Sequence, residues 1–533
     1  MKVESICIVG GGSAGWMSAA LLAKQFPDIE IALVESDKKP TIGVGESTLG
    51  HFNRYLLHME LEDEDWMPHC NATYKTSIAF RNFKHGKGER FQYPFGGLAY
   101  QEPYRTDIQR FYELQILHPE LYPDDEFARF WNPSTLLTEQ QKIASTGIDG
   151  MMWDHNNDSA YHFDAELFGI YLKEHHCQRV QHVVGHVDHV VKTEDGYIKA
   201  IVTAEGSYIE ADMYIDCTGF KSLLLEGFMG SEWESFKDVL FNDRAVATQI
   251  PYKNRETEMD TYTDCDAQSA GWVWNIPLWN RVGTGYVYSS DYINECEAEQ
   301  EFREYLSERY SPEIAQNAEM RHIKIKHGKH KEAWVKNVVG IGLSYGFLEP
   351  LESTGLMTTH ENILFFANAL ARRNGLLTDV DRKSFNFTVD KVLENMKLFV
   401  AQHYYLTQRQ DNKYWRDVTN IELGHGEWRL GTEYSTLQSK QEYYNLLDRA
   451  TNKFYDGDTF GGLLYISAGQ GYRPISSWDF KVRCKNVPMH YGQVTSTHEW
   501  YQKEKQRLLD IIDDMPTHYE YLRDRIYGKE TVD

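Results

Sequence analysis

The sequence predicts an α/β fold with a mainly helical C-terminal part, and three observations predict it. A G-x-G-x-x-G stretch follows a short apolar strand near the N-terminus. An acid stands twenty positions after its last glycine. Past about residue 380 the apolar spacing turns helical. Ser5–Val9 reads as the first strand, Trp16–Phe26 as a helix, and Glu30–Val34 as a second strand ending at Glu35. Between the first strand and the helix lie Gly10, Gly11, Gly12, Ser13, Ala14 and Gly15. Gly10 permits the turn, Gly12 lets backbone approach a pyrophosphate, and Gly15 allows close helix packing. The helix start offers N–H groups to phosphate, and Glu35 stands where an acid meets a ribose hydroxyl. A Rossmann-like dinucleotide site is therefore expected, against a glycine-rich turn with no ligand.

Thr41–Ser47 carries a second glycine pair, and Gly43, Val44, Gly45 and Glu46 favour FAD over NAD, because bare backbone can lie along a flat ring system. Met213–Phe220 resembles the segment that returns to the cofactor in FAD-dependent monooxygenase folds. Val338–Gly342, with Leu343 after it, is another apolar strand ending in glycines. No second G-x-G-x-x-G stands between a strand and an acid, so no NAD(P)H site is evident. Helical patterns follow at Val389–Gln402 and Trp500–Ile512.

With 533 residues the chain exceeds one ordinary domain. The expected division is a FAD-binding module over 1–375, with a β-rich insertion near 240–290, and a mostly helical substrate-capping domain over 376–533. A net charge of -24 repels phosphate backbones and argues against nucleic acid as a partner. The seven cysteines are scattered and form no C-x-x-C, which argues against a disulfide framework and a metal site. No apolar run reaches membrane-spanning length, and the N-terminus opens into a strand rather than a signal peptide. A soluble cytoplasmic protein with no membrane partner is expected.

Gly271–Pro277 contains W-x-W-x-I-P, with Trp272 and Trp274 as its indoles. Phe347–Gly355 fits F-x-x-P-x-x-S-x-G. With the glycine loop, Gly43–Ser47, Lys75 in Thr73–Ser77, and Tyr161–Ala165, these motifs make the chain similar to the flavin-dependent tryptophan halogenases over nearly its whole length. The resemblance implies FAD, used as FADH2 from a separate flavin reductase, and a halide ion. In that family a flavin hydroperoxide oxidises halide to hypohalous acid, which reaches a lysine and substitutes an electron-rich, indole-like aromatic. Lys75 matches the lysine. Its ammonium can donate a hydrogen bond to hypohalous acid, and as a neutral amine it can form a haloamine. From spacing alone Lys75 reads as a surface residue.

Glu352 matches the family glutamate, which can orient the acid or accept the ring proton. Ser353 matches the serine that links the flavin and substrate sites, and it also reads as a helix N-cap. Backbone N–H groups of Thr354 and Gly355 suit a halide, and Gly355 also falls to the cofactor. The two indoles read equally as tunnel wall or core. A homodimer is compatible with the family, although the sequence carries no signature for one.

The substrate region departs from the tryptophan enzymes. Phe95 is kept, and Tyr93 stands at their histidine position. Phe454–Gly462 replaces the aromatic and acidic residues that grip free tryptophan, and its glycines predict a more open pocket for an indole, a phenol or a larger scaffold. The competing functions are a single-component FAD-dependent aromatic hydroxylase and a non-catalytic flavin-binding protein. Lys75 with Glu352 and Ser353 speaks against both.

Overall fold

The computed structural model describes residues 2–37, 45–105, 109–421, 427–430, 433–436, 458–473 and 475–528. The chain forms two compact units, neither continuous in sequence. One comprises Met1–Thr73, Ala160–Asp243 and Ile323–Lys397; the other comprises Tyr74–Ser159, Arg244–His322 and Leu398–Asp533. The sequence reading drew one cut at residue 375. Contacts instead gather segments from three stretches of chain into each unit.

The first unit is built on a six-stranded sheet. Its order is Trp334–Val335, Val338–Gly340, Met213–Asp216, Ser5–Val9, Glu30–Glu35, Gln181–Val184. The strands pair in parallel, as at Ile6 with Met213 and Ile6 with Ile31, except that Trp334–Val335 folds back antiparallel on Val338–Gly340. The inner strands are near-continuous apolar runs, as parallel strands covered on both faces must be. Cys7, Val9, Val34, Tyr214 and Val338 pack with Ile198 and Ile201 of a small antiparallel sheet and with Leu224 and Leu225. The helices Ser13–Gln25, Ala165–His176 and Thr354–Arg372 pack beside the glycine loop. Asp164 caps the second of these, Oδ1 accepting from the N–H groups of Glu166 (3.1 Å) and Leu167 (3.2 Å).

The second unit holds a mostly antiparallel sheet in which Arg244–Ile250, Val282–Tyr288, Gly271–Pro277, Tyr262–Ala267, Ser77–Arg81 and Arg90–Pro94 run in that order. Tyr262–Ala267 and Ser77–Arg81 pair in parallel. Alternation along Gly271–Pro277 turns Val273 toward the helix Glu295–Arg309, where it packs with Phe302 and Leu306. It turns Trp272 and Trp274 to the opposite face. Buried Asp264 ties strand to helix, accepting from Arg81 Nε (2.8 Å) and pairing with Arg309 (2.5 Å). Burial pushes this carboxyl up, but Arg309 and Arg81 outweigh it and hold it below its ordinary range. A second core joins helices Gln109–Leu117 and Glu126–Trp131 to Tyr465, Phe480, Val494 and Tyr501.

Candidate active site

In the first unit the glycine loop has the shape the sequence anticipates. Gly10 adopts φ +113°, and a Cβ there would sit 2.2 Å from the Cys217 carbonyl oxygen. A Cβ on Gly15 would lie 1.9 Å from the Gly10 carbonyl oxygen, so the helix starts hard against the turn. A Cβ on Gly12 would meet nothing within 4 Å, which leaves the backbone bare on that side. Gly12 also precedes the helix Ser13–Gln25, which has no side-chain cap, so its first N–H groups remain for a ligand. Glu35 ends the second strand beside Gly11 and accepts from His182 Nε2 (2.7 Å) and Lys173 Nζ (3.1 Å). A bare backbone, an uncapped helix start and an acid at the strand end fit a dinucleotide.

The turn Gly342–Ser344, with Leu343 partly exposed at its centre, closes on this loop. A Cβ on Gly342 would come 3.1 Å from Ala14 Cβ and 3.3 Å from Thr359 Oγ1. Glu352 ends a single 3-10 turn, Pro350–Glu352, and is fully buried. Ser353 follows at φ +57°, a left-handed conformation costly for a residue with a Cβ. Its hydroxyl donates to Ser47 Oγ (3.0 Å) and makes no cap bond to the helix that begins at Thr354. Ser353 thus holds the N-cap position the sequence anticipates, but its side chain does not cap the helix, because Oγ is engaged by Ser47. Thr354 is buried, and a Cβ on Gly355 would meet nothing within 4 Å, so the helix start is open backbone there. Behind the loop, buried Glu349 accepts from Asn242 Nδ2 (2.7 Å), and its N–H donates to His327 Nδ1 (3.3 Å). Burial pushes His327 down to about 3, so it stays neutral. Half-buried Glu46 is pushed up to about 7 by burial and by the charge of Asp164.

In the second unit Lys75 has no exposed surface. The surface reading from spacing fails because the strand Thr73–Lys75 is buried at every position. The chain on either side is pinned. The Tyr74 N–H donates to His518 Nε2 (3.1 Å), and the Thr76 N–H donates to the Thr261 carbonyl (2.7 Å). The Phe95 N–H donates to the Thr76 carbonyl (2.9 Å) and sets the Phe95 ring 5.0 Å from the Lys75 ammonium. Tyr93 lies edge-on to Phe95 (5.9 Å) and stacks on Tyr465 (6.0 Å). A cation among rings is electrostatically favoured and shielded from water. Trp272 and Trp274 are buried with centroids 6.2 Å apart.

Comparison with known proteins decides the family. The tryptophan halogenase family model matches residues 5–474. This chain belongs to the tryptophan halogenase family. It is 33% identical over 531 residues to the 7-chloro-L-tryptophan 6-halogenase KtzR of Kutzneria sp. (strain 744), covering 97% of this chain and 98% of that protein. The apo structure of VirX1 aligns with TM-score 0.91 and 44% identity, over 99% of this chain and 100% of its own. Tryptophan 6-halogenase SttH from Streptomyces toxytricini aligns with TM-score 0.80 and 30% identity, over 97% and 99%. The expectations of a flavin-dependent halogenating enzyme and of a mixed α/β, Rossmann-type fold are borne out.

Gly43 and Val44 of the tryptophan halogenase motif set lie outside the described residues, as do Phe454–Gly457 and the side chains of 458–463. Among the described residues no helix is long and apolar enough to cross a membrane. The structure groups Ser353, Ser47 and Leu343 with the glycine loop in one unit, and Lys75, Phe95 and Tyr93 in the other. Sequence reading missed the hydroxyl pair with Ser47, the Asn242–Glu349–His327 support and the Tyr465 ring. Only Ser47 carried a local signal, as the last residue of the Gly43–Ser47 loop.

Proposed function

We propose that this tryptophan halogenase family member uses FADH2 from a separate flavin reductase to halogenate an electron-rich aromatic substrate, with Lys75 as its catalytic residue. The observation that carries the reading is the complete burial of the Lys75 ammonium beside Phe95. A fully buried lysine beside an aromatic ring, on a strand that carries the family's motif, suits a task at its amine. Reduced flavin, when bound, supplies the electrons that let dioxygen oxidise halide. Gly10, Gly12, Ser13, Ala14, Gly15 and Glu35 hold its dinucleotide half. Gly43, Val44, Gly45, Glu46, Leu343 and Gly355 lie along the remainder. The open helix start at Thr354 and Gly355 binds halide by the ordinary anion logic of a helix N-terminus.

Lys75 Nζ holds hypohalous acid by hydrogen bond or as a haloamine. Glu352 orients that acid or takes the ring proton as the substituted arene regains aromaticity. Ser353, held by Ser47, positions the link between the flavin and substrate ends. Trp272 and Trp274 wall the path, and Tyr93 and Phe95 contact the substrate. The module bearing the glycine loop supplies the oxidant, and the mainly helical C-terminal part caps the substrate. A cytoplasmic protein, alone or as a homodimer, is the setting we infer.

The test supplies a flavin reductase, indole or phenol, and chloride, bromide or iodide, and reads products by mass spectrometry. The reading expects halide-dependent product from the wild type and loss of at least about 100-fold in Lys75→Ala with flavin binding retained. Oxygenated, halide-independent product with NADPH alone would instead make the protein a hydroxylase.

A further inference from the structure

We propose that Arg105 is a substrate-recognition residue that pairs with a carboxylate carried by the aromatic substrate. The inference rests on the halogenase reading and names the substrate class of that site.

Arg105 sits in a pinned turn. Its N–H donates to the Gln101 carbonyl (2.7 Å), and its carbonyl accepts from the Gln101 N–H (3.3 Å). Its side chain, 1% exposed, runs inward among rings. The guanidinium carbon lies 4.8 Å from the Trp500 ring, 5.4 Å from Phe130 and 6.0 Å from Tyr501. Rings of this kind take the face of a guanidinium, whereas its N–H donors lie in its plane. Nε, Nη1 and Nη2 are all buried, and among the described residues none meets an acceptor. Nearby carboxylates are committed elsewhere. Glu504 accepts from Arg507 through both oxygens (2.6 and 2.9 Å), and Glu126 accepts from Tyr501, Lys505 and Arg129. Burial lowers Arg105 only to about 10, because the nearby charge of Glu504 opposes it, so at neutral pH it is a cation whose donors meet no acceptor among the described residues. Such a group is costly, and natural cores avoid it unless something binds there.

Its place in the fold says what binds. Phe130, beside the Arg105 guanidinium, packs through Phe111 and Phe127 onto Tyr465, which stacks on Tyr93. Tyr93 packs on Phe95, whose ring lies under the Lys75 ammonium. One continuous run of rings therefore joins the cation proposed to carry the oxidant to a cation with unmet donors. A flat substrate lying along those rings presents its arene to Lys75 and an acidic substituent to Arg105. A carboxylate matches the planar fork of an arginine with two parallel hydrogen bonds.

The test is equilibrium binding to the full-length protein by calorimetry, without turnover. Two isosteric pairs serve as probes: indole-3-acetate with indole-3-acetamide, and 4-hydroxyphenylacetate with its amide. The wild type is expected to favour the acid over its amide by about 30-fold in at least one pair. Arg105→Met is expected to bring that ratio within about threefold of one. Its melting temperature should hold or rise, because a buried guanidinium with unmet donors is replaced by an apolar side chain among rings. A ratio near one for both pairs in the wild type, a ratio that survives Arg105→Met, or a variant that fails to fold would each overturn the assignment and make Arg105 structural. Halide incorporation is not read here, so failure of the halogenase reading appears in a different assay.

Discussion

Gly285 is the position where one added methyl tests how the tryptophan pair is held. Its backbone is ordinary strand, opposite Trp274 on one side and Ala247 on the other. Space alone therefore forbids a side chain. A Cβ at Gly285 would lie 2.3 Å from Trp274 Cη2, 2.4 Å from Cζ2 and 2.8 Å from the Val246 carbonyl oxygen. Ordinary carbon contacts are about 3.5–4 Å, so the indole must retreat by more than about 1 Å. It has little room, being 6% exposed on a strand paired along both edges. The methyl cannot yield either, since backbone stands behind it. Overpacking of this kind costs about 1–3 kcal/mol, and the rigidity of both partners puts Gly285→Ala at the upper end. Denaturant unfolding should show that loss. In a Trp274→Leu background the same Gly285→Ala change should cost at least about 1 kcal/mol less, because the ring it strikes is gone. Equal cost in both backgrounds would refute the steric argument and leave Trp274 free to move.

Two further outcomes follow from the first unit. Gly15→Ala sets a methyl 1.9 Å from the Gly10 carbonyl oxygen, so FAD should bind at least about tenfold more weakly by fluorescence titration; an unchanged Kd would mean that this close approach does not shape the site. The Glu46 carboxyl moves from 4.5 to about 7 on folding, so between those values the folded chain keeps a proton that the unfolded chain releases. Its contribution is thus present below pH 4.5 and lost as pH rises through 7. At about 1.4 kcal/mol per pKa unit the loss is at most about 3.5 kcal/mol, less where Glu46 keeps solvent contact. Glu46→Gln should flatten that slope in unfolding measurements between pH 5 and 8, and an unchanged slope would assign it to other groups.

Much of the first unit was legible because its signals are local. Gly10, Gly12 and Gly15 act over a few residues, and the strand at Ser5–Val9 and the acid at Glu35 follow from runs of side chains. The helix was read from Trp16 and begins at Ser13, since the glycine turn itself contributes its first residues. Ser353 shows where local reading stops. Its sequence neighbourhood suits an N-cap, yet the partner that takes its hydroxyl is 306 residues away.

The sequence by itself determined the family and the dinucleotide loop, and it named the side chains proposed to react, because each depends on residue types at short spacing. The tertiary structure alone decided which of those side chains are buried and what faces them. Lys75 looks like a surface lysine until the strand Thr73–Lys75 is enclosed. Arg105 drew no notice until Phe130 and the adjacent Trp500 and Tyr501, from two other stretches of chain, closed around it. Burial is a property of what the rest of the chain places nearby, and it turns an ordinary cation into one that must be paired or put to use.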